Sequence, residues 1–159
     1  MYKRQLVGLG VLAVLLLLPR VTRRIPAVLG RVEAMDGWHN VARFGDAREV
    51  PAVVVYRWEA PLFFANSSGF RTQVRRLVRE RRPAWVVIQC EAITDVDVSA
   101  AQMLEQLDIE LNAMGTHMAF AEMRVRLQEL VLRYGLLETL DRDRFYPTVD
   151  AAIVAIEAD

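Results

Sequence analysis

Read from the amino end, apolar and polar positions alternate in a way that changes character twice. Residues 6–18, LVGLGVLAVLLLL, carry no charge and are apolar on every face, where a helix packed on a soluble core would show a polar side. Residues 26–50 hold no sustained period and are interrupted by Pro26, Gly30, Gly37 and Gly45, so the pattern predicts a linker. Val28, Leu29, Trp38 and Phe44 need something to pack on, which makes that linker an ordered one. From residue 51 onward the pattern is that of a compact domain.

Ala52–Trp58, AVVVYRW, is β-branched and aromatic and predicts a strand. Pro61 interrupts it, and Leu62, Phe63, Phe64 and Ala65 predict a short second strand. Asn66 suits the N-cap of a helix running to about Arg82, where Pro83 stops it. Phe70, Val74, Leu77 and Val78 fall on one face of that helix, and Arg71, Arg75, Arg79 and Arg82 on another. Trp85–Cys90 is nearly continuous apolar sequence, as a central strand covered on both faces requires. A second helix is expected from near Ala100 to Met114, with Leu104, Leu107 and Leu111 inward and Gly115 just past its end. Met118–Ala121 predicts another strand, Val125–Tyr134 a third helix closed by Gly135, and Val149–Glu157 a last helix capped by Thr148. The order ββαβαβαα predicts an α/β domain over 51–159, a mostly parallel central sheet flanked by helices.

The apolar run at the amino end would be about 20 Å long as a helix, against roughly 30 Å of bilayer hydrocarbon. The adjoining Pro-Arg-Val-Thr-Arg-Arg lacks the small-residue cleavage site of a signal peptide and carries positive charge where such a site should lie. The expectation is therefore an N-terminal apolar membrane helix, or its end, with its basic flank over residues 1–25. Arg20, Arg23 and Arg24 would place the downstream residues on the cytoplasmic side.

Charge sharpens the picture. The chain of 159 residues is formally neutral, yet residues 1–90 hold fifteen basic and six acidic residues, net +9, and residues 91–159 hold five and fourteen, net −9. Such a balance gives no reason to expect nucleic acid as a partner. Cys90 is alone, which excludes an intrachain disulfide and a cysteine zinc site. His39 and His117 lie in unlike settings without neighbours at ligand spacing, so no metal is expected. Neither a Gly-x-Ser-x-Gly elbow nor a phosphate-cradling glycine loop is present; no catalytic set, and hence no enzyme and no cofactor, is expected.

The most informative stretch is Ile93–Leu104, between the central strand and the second helix. Ser99 followed by Gln102 has the spacing of a capping box, and a helix N-terminus at the carboxyl edge of a parallel sheet also favours anions. A phosphate on Ser99 would bring about −2 charge beside Asp95 and Asp97. Arg71, Arg75, Arg76 and Arg79 form a basic stripe that could meet anionic lipid, the acidic half of a second copy, or a nucleotide.

The element order, the segment Val54–Asn66 and the loop Asp97-Val-Ser-Ala resemble a STAS domain, the module shared by bacterial anti-sigma factor antagonists and SulP anion permeases. Val28-Leu-Gly-Arg-Val-Glu, Gly37-Trp-His-Asn-Val and Leu62-Phe-Phe-Ala-Asn66 are similar to the permease branch, and the apolar run stands where its last membrane helix would end. The resemblance implies a cytosolic regulatory and interaction domain of a sulphate or bicarbonate transporter in the cell (inner) membrane. It implies as partners the transmembrane transport domain, a second copy in a homodimer, membrane lipid through residues 6–18, and a regulatory protein or nucleotide. The alternative it implies is an antagonist of an anti-sigma factor switched by phosphorylation at Ser99. The antagonist loop is of the type Asp-Ser-Ser-Gly; here Asp97 and Ser99 match it, while Val98 and Ala100 depart from it.

Overall fold

The computed structural model describes residues 27–134 and 142–158. The expected membrane segment with its basic flank, residues 1–25, and the expected helix stop at Gly135 lie outside them. Among the described residues no helix is long and apolar enough to cross a membrane. In chain order the elements are β1 (Ala27–Val32), β2 (Met35–Asn40), β3 (Val53–Arg57), α1 (Phe64–Arg81), β4 (Trp85–Gln89), α2 (Val98–Ala113), β5 (His117–Ala121), α3 (Val125–Arg133), a 3-10 turn (Arg142–Arg144), β6 (Phe145–Tyr146) and α4 (Val149–Ala158).

One six-stranded sheet organises them, in the order β2-β1-β3-β4-β5-β6. β3, β4, β5 and β6 run parallel, and β1 lies antiparallel to both β2 and β3, so the sheet is mixed rather than mostly parallel throughout. Val54, Tyr56, Val86, Ile88, Met118 and Phe120 face a core shared with α1, α2 and α3. Their neighbours Val53, Val55, Val87, Ala119 and Ala121 face a second core with Trp38 and with Val149, Ala152 and Ile153 of α4. Burial on both faces is the reason these strands are apolar along their middles, with Arg57, Gln89 and His117 at their ends, each large buried apolar side chain contributing ~1.5–3 kcal/mol.

Three expectations need correction. Residues 26–50 are not a linker outside the domain: β1 and β2 form a hairpin, and β1 is an interior strand of the sheet. The period is hidden because the pairing slips between Arg31 and Val32 and because Gly37 adopts φ +89 within β2. The strand expected at Leu62–Ala65 is a single bridge, Leu62 to Val96, and α1 begins at Phe64 instead of after Asn66. A sixth strand, β6, stands where none was expected; a two-residue strand is too short to carry a period. Beside it, Arg144 pairs with the buried Asp108 of α2 at 3.6 Å and lies over the Trp85 ring.

Gly30 is fixed by a close approach. A Cβ there would sit 2.7 Å from the backbone oxygen of Arg48, which bridges to Arg31 next door. Gly30→Ala is therefore expected to destabilise the domain by about 1–3 kcal/mol, read as a lower urea midpoint, because a backbone atom cannot rotate aside. Gly45, where nothing lies within 4 Å of the added Cβ, should tolerate alanine within about 0.5 kcal/mol.

Candidate functional site

The carboxyl ends of β3 and β4 feed two loops, and Asp97 joins them. Leu62 N–H donates to the Asp95 carbonyl at 2.9 Å and Asp97 N–H to the Leu62 carbonyl at 3.2 Å, so the two loops pair like short strands. The Asp97 carboxylate then accepts from two helices at once: Oδ1 takes Ala100 N–H of α2 at 2.8 Å, and Oδ2 takes Phe64 N–H of α1 at 2.9 Å. Two positive helix ends thus converge on one anion. Asn66 completes the entry to α1, accepting from Phe63 N–H at 2.9 Å and donating to the Pro61 carbonyl at 2.8 Å.

Ser99 does not form the expected capping box. Asp97 is the N-cap of α2, which leaves Ser99 as the second helical residue, exposed and without a side-chain hydrogen bond among the described residues. Asp95 is also exposed, its Oδ1 accepting from the neighbouring Val96 N–H at 3.0 Å. The three residues lie together at one end of the domain, with Asp97 structural and Ser99 accessible.

The basic stripe on α1 is divided. Arg71 and Arg75 turn to α2 and both meet Glu110, Arg71 through an ion pair and Arg75 at 3.5 Å. The hydrogen bond from Arg71 holds the Glu110 carboxyl below its ordinary value near 4.5; burial opposes it, and the charges of Arg71, Arg75 and Arg79 add to it. Arg76 and Arg79 are exposed, and Arg76 pairs with Glu80 one turn on.

Sequence reasoning missed a polar row across the sheet edge. Arg57 of β3 donates to Gln89 of β4, whose amide donates to Glu122 after β5 at 2.6 Å. Gln89 is 3% exposed, and Glu122 takes φ +60 to reach it. Its one sequence signal was a glutamine inside the apolar run Trp85–Cys90. The row borders a cleft of about 710 Å³ with Trp38, His39, Glu91 and Arg124 on its walls. Asp150, at the start of α4, receives Trp38 Nε1 at 3.1 Å and the Arg31 guanidinium. Among the described residues no group of three His, Cys, Asp or Glu side chains could hold a metal ion. Cys90 is fully buried, and burial pushes its thiol up, away from the thiolate.

Two tests probe this geometry. Asp97→Ala should cost about 2–3 kcal/mol in urea unfolding, because two helix ends lose their cap, while Ser99→Ala should stay within about 0.5 kcal/mol. Because the Glu110 carboxyl titrates lower folded than unfolded, its stabilisation is complete above its ordinary value and is lost as pH falls through the folded one. Glu110→Gln should lower the urea midpoint at neutral pH and flatten its decline as pH falls from the ordinary value of about 4.5 through the lower folded one.

The STAS domain family matches residues 46–152. A probable sulfate transporter of Mycobacterium tuberculosis (strain ATCC 25618 / H37Rv) is 34% identical over 146 residues, 91% of this chain and 26% of the relative. The chain thus spans about a quarter of the length of the curated relatives it matches first. Among solved structures, murine Solute Carrier 26 family member A9, an anion transporter in the inward-facing state, shares the fold with TM-score 0.80 and 20% identity, covering 96% of this chain and 25% of its own. The anti-sigma factor antagonist SpoIIAA, unphosphorylated, shares it at TM-score 0.57 and 14% identity, covering 70% of this chain and 94% of its own. With its match to the family model over most of its length, the chain belongs to the STAS domain family, and sulfate transporters are among its sequence relatives.

Proposed function

We propose that this chain is the regulatory and interaction domain of a SulP-type transporter of an inorganic anion, sulphate or bicarbonate, together with the end of the membrane helix that precedes it. The domain sits on the cytoplasmic side of the cell (inner) membrane, docks to the transmembrane transport domain and pairs with a second copy. The observation that carries this reading is the reach of the likeness: 96% of the chain is covered by the transporter structure and 70% by the antagonist. The hairpin β1–β2 lies upstream of the family match and is built into the sheet, so the strand that leads away from the core is part of the domain. A chain moored in this way transmits force or position to whatever precedes Ala27, which suits a module that adjusts an attached body. Residues 6–18 alone cannot enclose a path through a bilayer, so the transport step belongs to segments outside this chain.

Asp95, Asp97 and Ser99 form the regulated surface in this reading. Asp97 holds the loops in place, and Ser99, exposed and without a side-chain hydrogen bond among the described residues, is the group to be modified or read by a regulatory protein.

The test is a chimera in which this chain replaces the matching 146-residue stretch of the mycobacterial relative, assayed for sulphate uptake in a host lacking its own uptake. Uptake should stay within roughly tenfold of the parent, whereas deleting the stretch abolishes it. A chimera that is folded and membrane-inserted yet as inactive as the deletion overturns the reading.

A further inference from the structure

Two of the large apolar side chains at the carboxyl edge of the sheet point away from the core. Phe63 and Phe64 are 40% and 71% exposed and meet edge to face at 6.0 Å; Val98 is 48% exposed. Asp97 ties them into one patch, since its carboxylate binds Phe64 N–H and its own chain continues directly into Val98. The patch is rigid: the paired loops, the double cap and Asn66 fix the backbone beneath it. Ordered backbone that holds two phenylalanines and a valine in water marks a surface with an occupant.

The path of the chain says which occupant. β1 runs antiparallel to β3, with Ala27 opposite Arg57, so the polypeptide enters the domain beside the last residue of β3. This is the edge from which Phe63 and Phe64 project. Only residues 19–26 separate Ala27 from the apolar run ending at Leu18, and eight residues span at most about 28 Å even when fully extended. If the run lies in a bilayer, this edge of the domain faces that bilayer at short range. The tether itself carries Arg20, Arg23 and Arg24, whereas the patch brings no positive charge of its own to a headgroup layer. Asp97 is offset by two helix N-termini, but Asp95 is exposed beside the patch and disfavours anionic headgroups.

We infer that Phe63, Phe64 and Val98 form a second membrane contact, an apolar wedge that seats the domain in the headgroup layer of a zwitterionic bilayer. The inference rests on the proposed placement of residues 6–18 in a membrane. The wedge fixes the tilt of the domain on its tether, so that Ser99, one residue beyond Val98, lies at the rim of the contact.

The experiment uses the full chain reconstituted into phosphatidylcholine vesicles, with a bimane label on a single introduced cysteine. Cys90 is buried and does not compete for label. Labels go to Leu12→Cys in the apolar run, to Ala65→Cys beside the patch and to Ala113→Cys at the far end of α2; Ala65 and Ala113 are both exposed. Brominated phosphatidylcholine should quench the Ala65 label roughly threefold more than the Ala113 label, and Phe63→Asp/Phe64→Asp should remove the difference. Equal quenching at Ala65 and Ala113 with strong quenching at Leu12 overturns the wedge and leaves the proposed function standing. No quenching at Leu12 overturns both. Oxidative crosslinking of the Ala65→Cys chain to itself, abolished by the same double substitution, assigns the patch to a second copy and overturns the lipid contact.

Discussion

One carboxylate holds the functional end of this domain together. Asp97 accepts from the first turns of α1 and α2, helices whose starting residues are 34 positions apart in sequence and that leave adjacent parallel strands. A parallel sheet places helix N-termini side by side, each with unsatisfied N–H groups. Left to themselves, two such ends need two caps and two independently ordered loops. Sharing one anion makes the loops a single unit, and the Leu62–Val96 bridge closes it. The exposed residues at this edge owe their positions to that arrangement: Ser99 is in the helix because Asp97 is ahead of it, and Phe64 is in the helix because Asp97 reaches it.

This also explains what could be read in the sequence. The strands β3, β4 and β5 were legible because burial on both faces writes itself as unbroken apolar runs. The helices were legible in extent, and Pro83 and Gly115 gave their ends. The start of α1 was not, because its cap comes from a residue 33 positions away, and Asn66, an apt local cap, serves inside the first turn. The hairpin β1–β2 failed for a different reason. It alternates poorly, with Met35, Asp36 and Gly37 exposed in a row, and its strand character comes from pairing with β3. Of the candidate site, Asp95, Asp97 and Ser99 were named together, but the cap of α2 expected from Ser99 is supplied by Asp97. The row Arg57–Gln89–Glu122 was hidden, since strand register alone brings those three side chains into line.

The opposite charges of the two halves find each other in space at several points. Arg71 and Arg75 meet Glu110, Arg31 meets Asp150, and Arg57 reaches Glu122 through Gln89. Other pairs stay within one half, among them Arg81 with Glu49 and Arg144 with the buried Asp108. Most of these pairs are partly exposed and each is worth little alone. Their consequence is electrostatic rather than energetic: a helix that reads as a basic stripe presents less free positive charge than its sequence suggests. Arg71 and Arg75 of α1 are engaged with Glu110 and Arg76 with Glu80, while exposed apolar groups stand at the carboxyl edge beside the Ser99 hydroxyl.

That arrangement bears on how regulation could work. A serine that caps its own helix cannot be modified without disturbing the fold, because the oxygen that would carry phosphate is the one holding the backbone. Here the cap is Asp97, and Ser99 makes no side-chain hydrogen bond among the described residues. Charge could be added at Ser99, at the favourable end of the α2 dipole, while the double cap stays intact. The fold would survive the modification and the neighbouring apolar surface of Phe63, Phe64 and Val98 would not keep its character. A domain built this way separates the residue that holds its edge together from the hydroxyl it exposes, and the separation is made by the single step from residue 97 to residue 99.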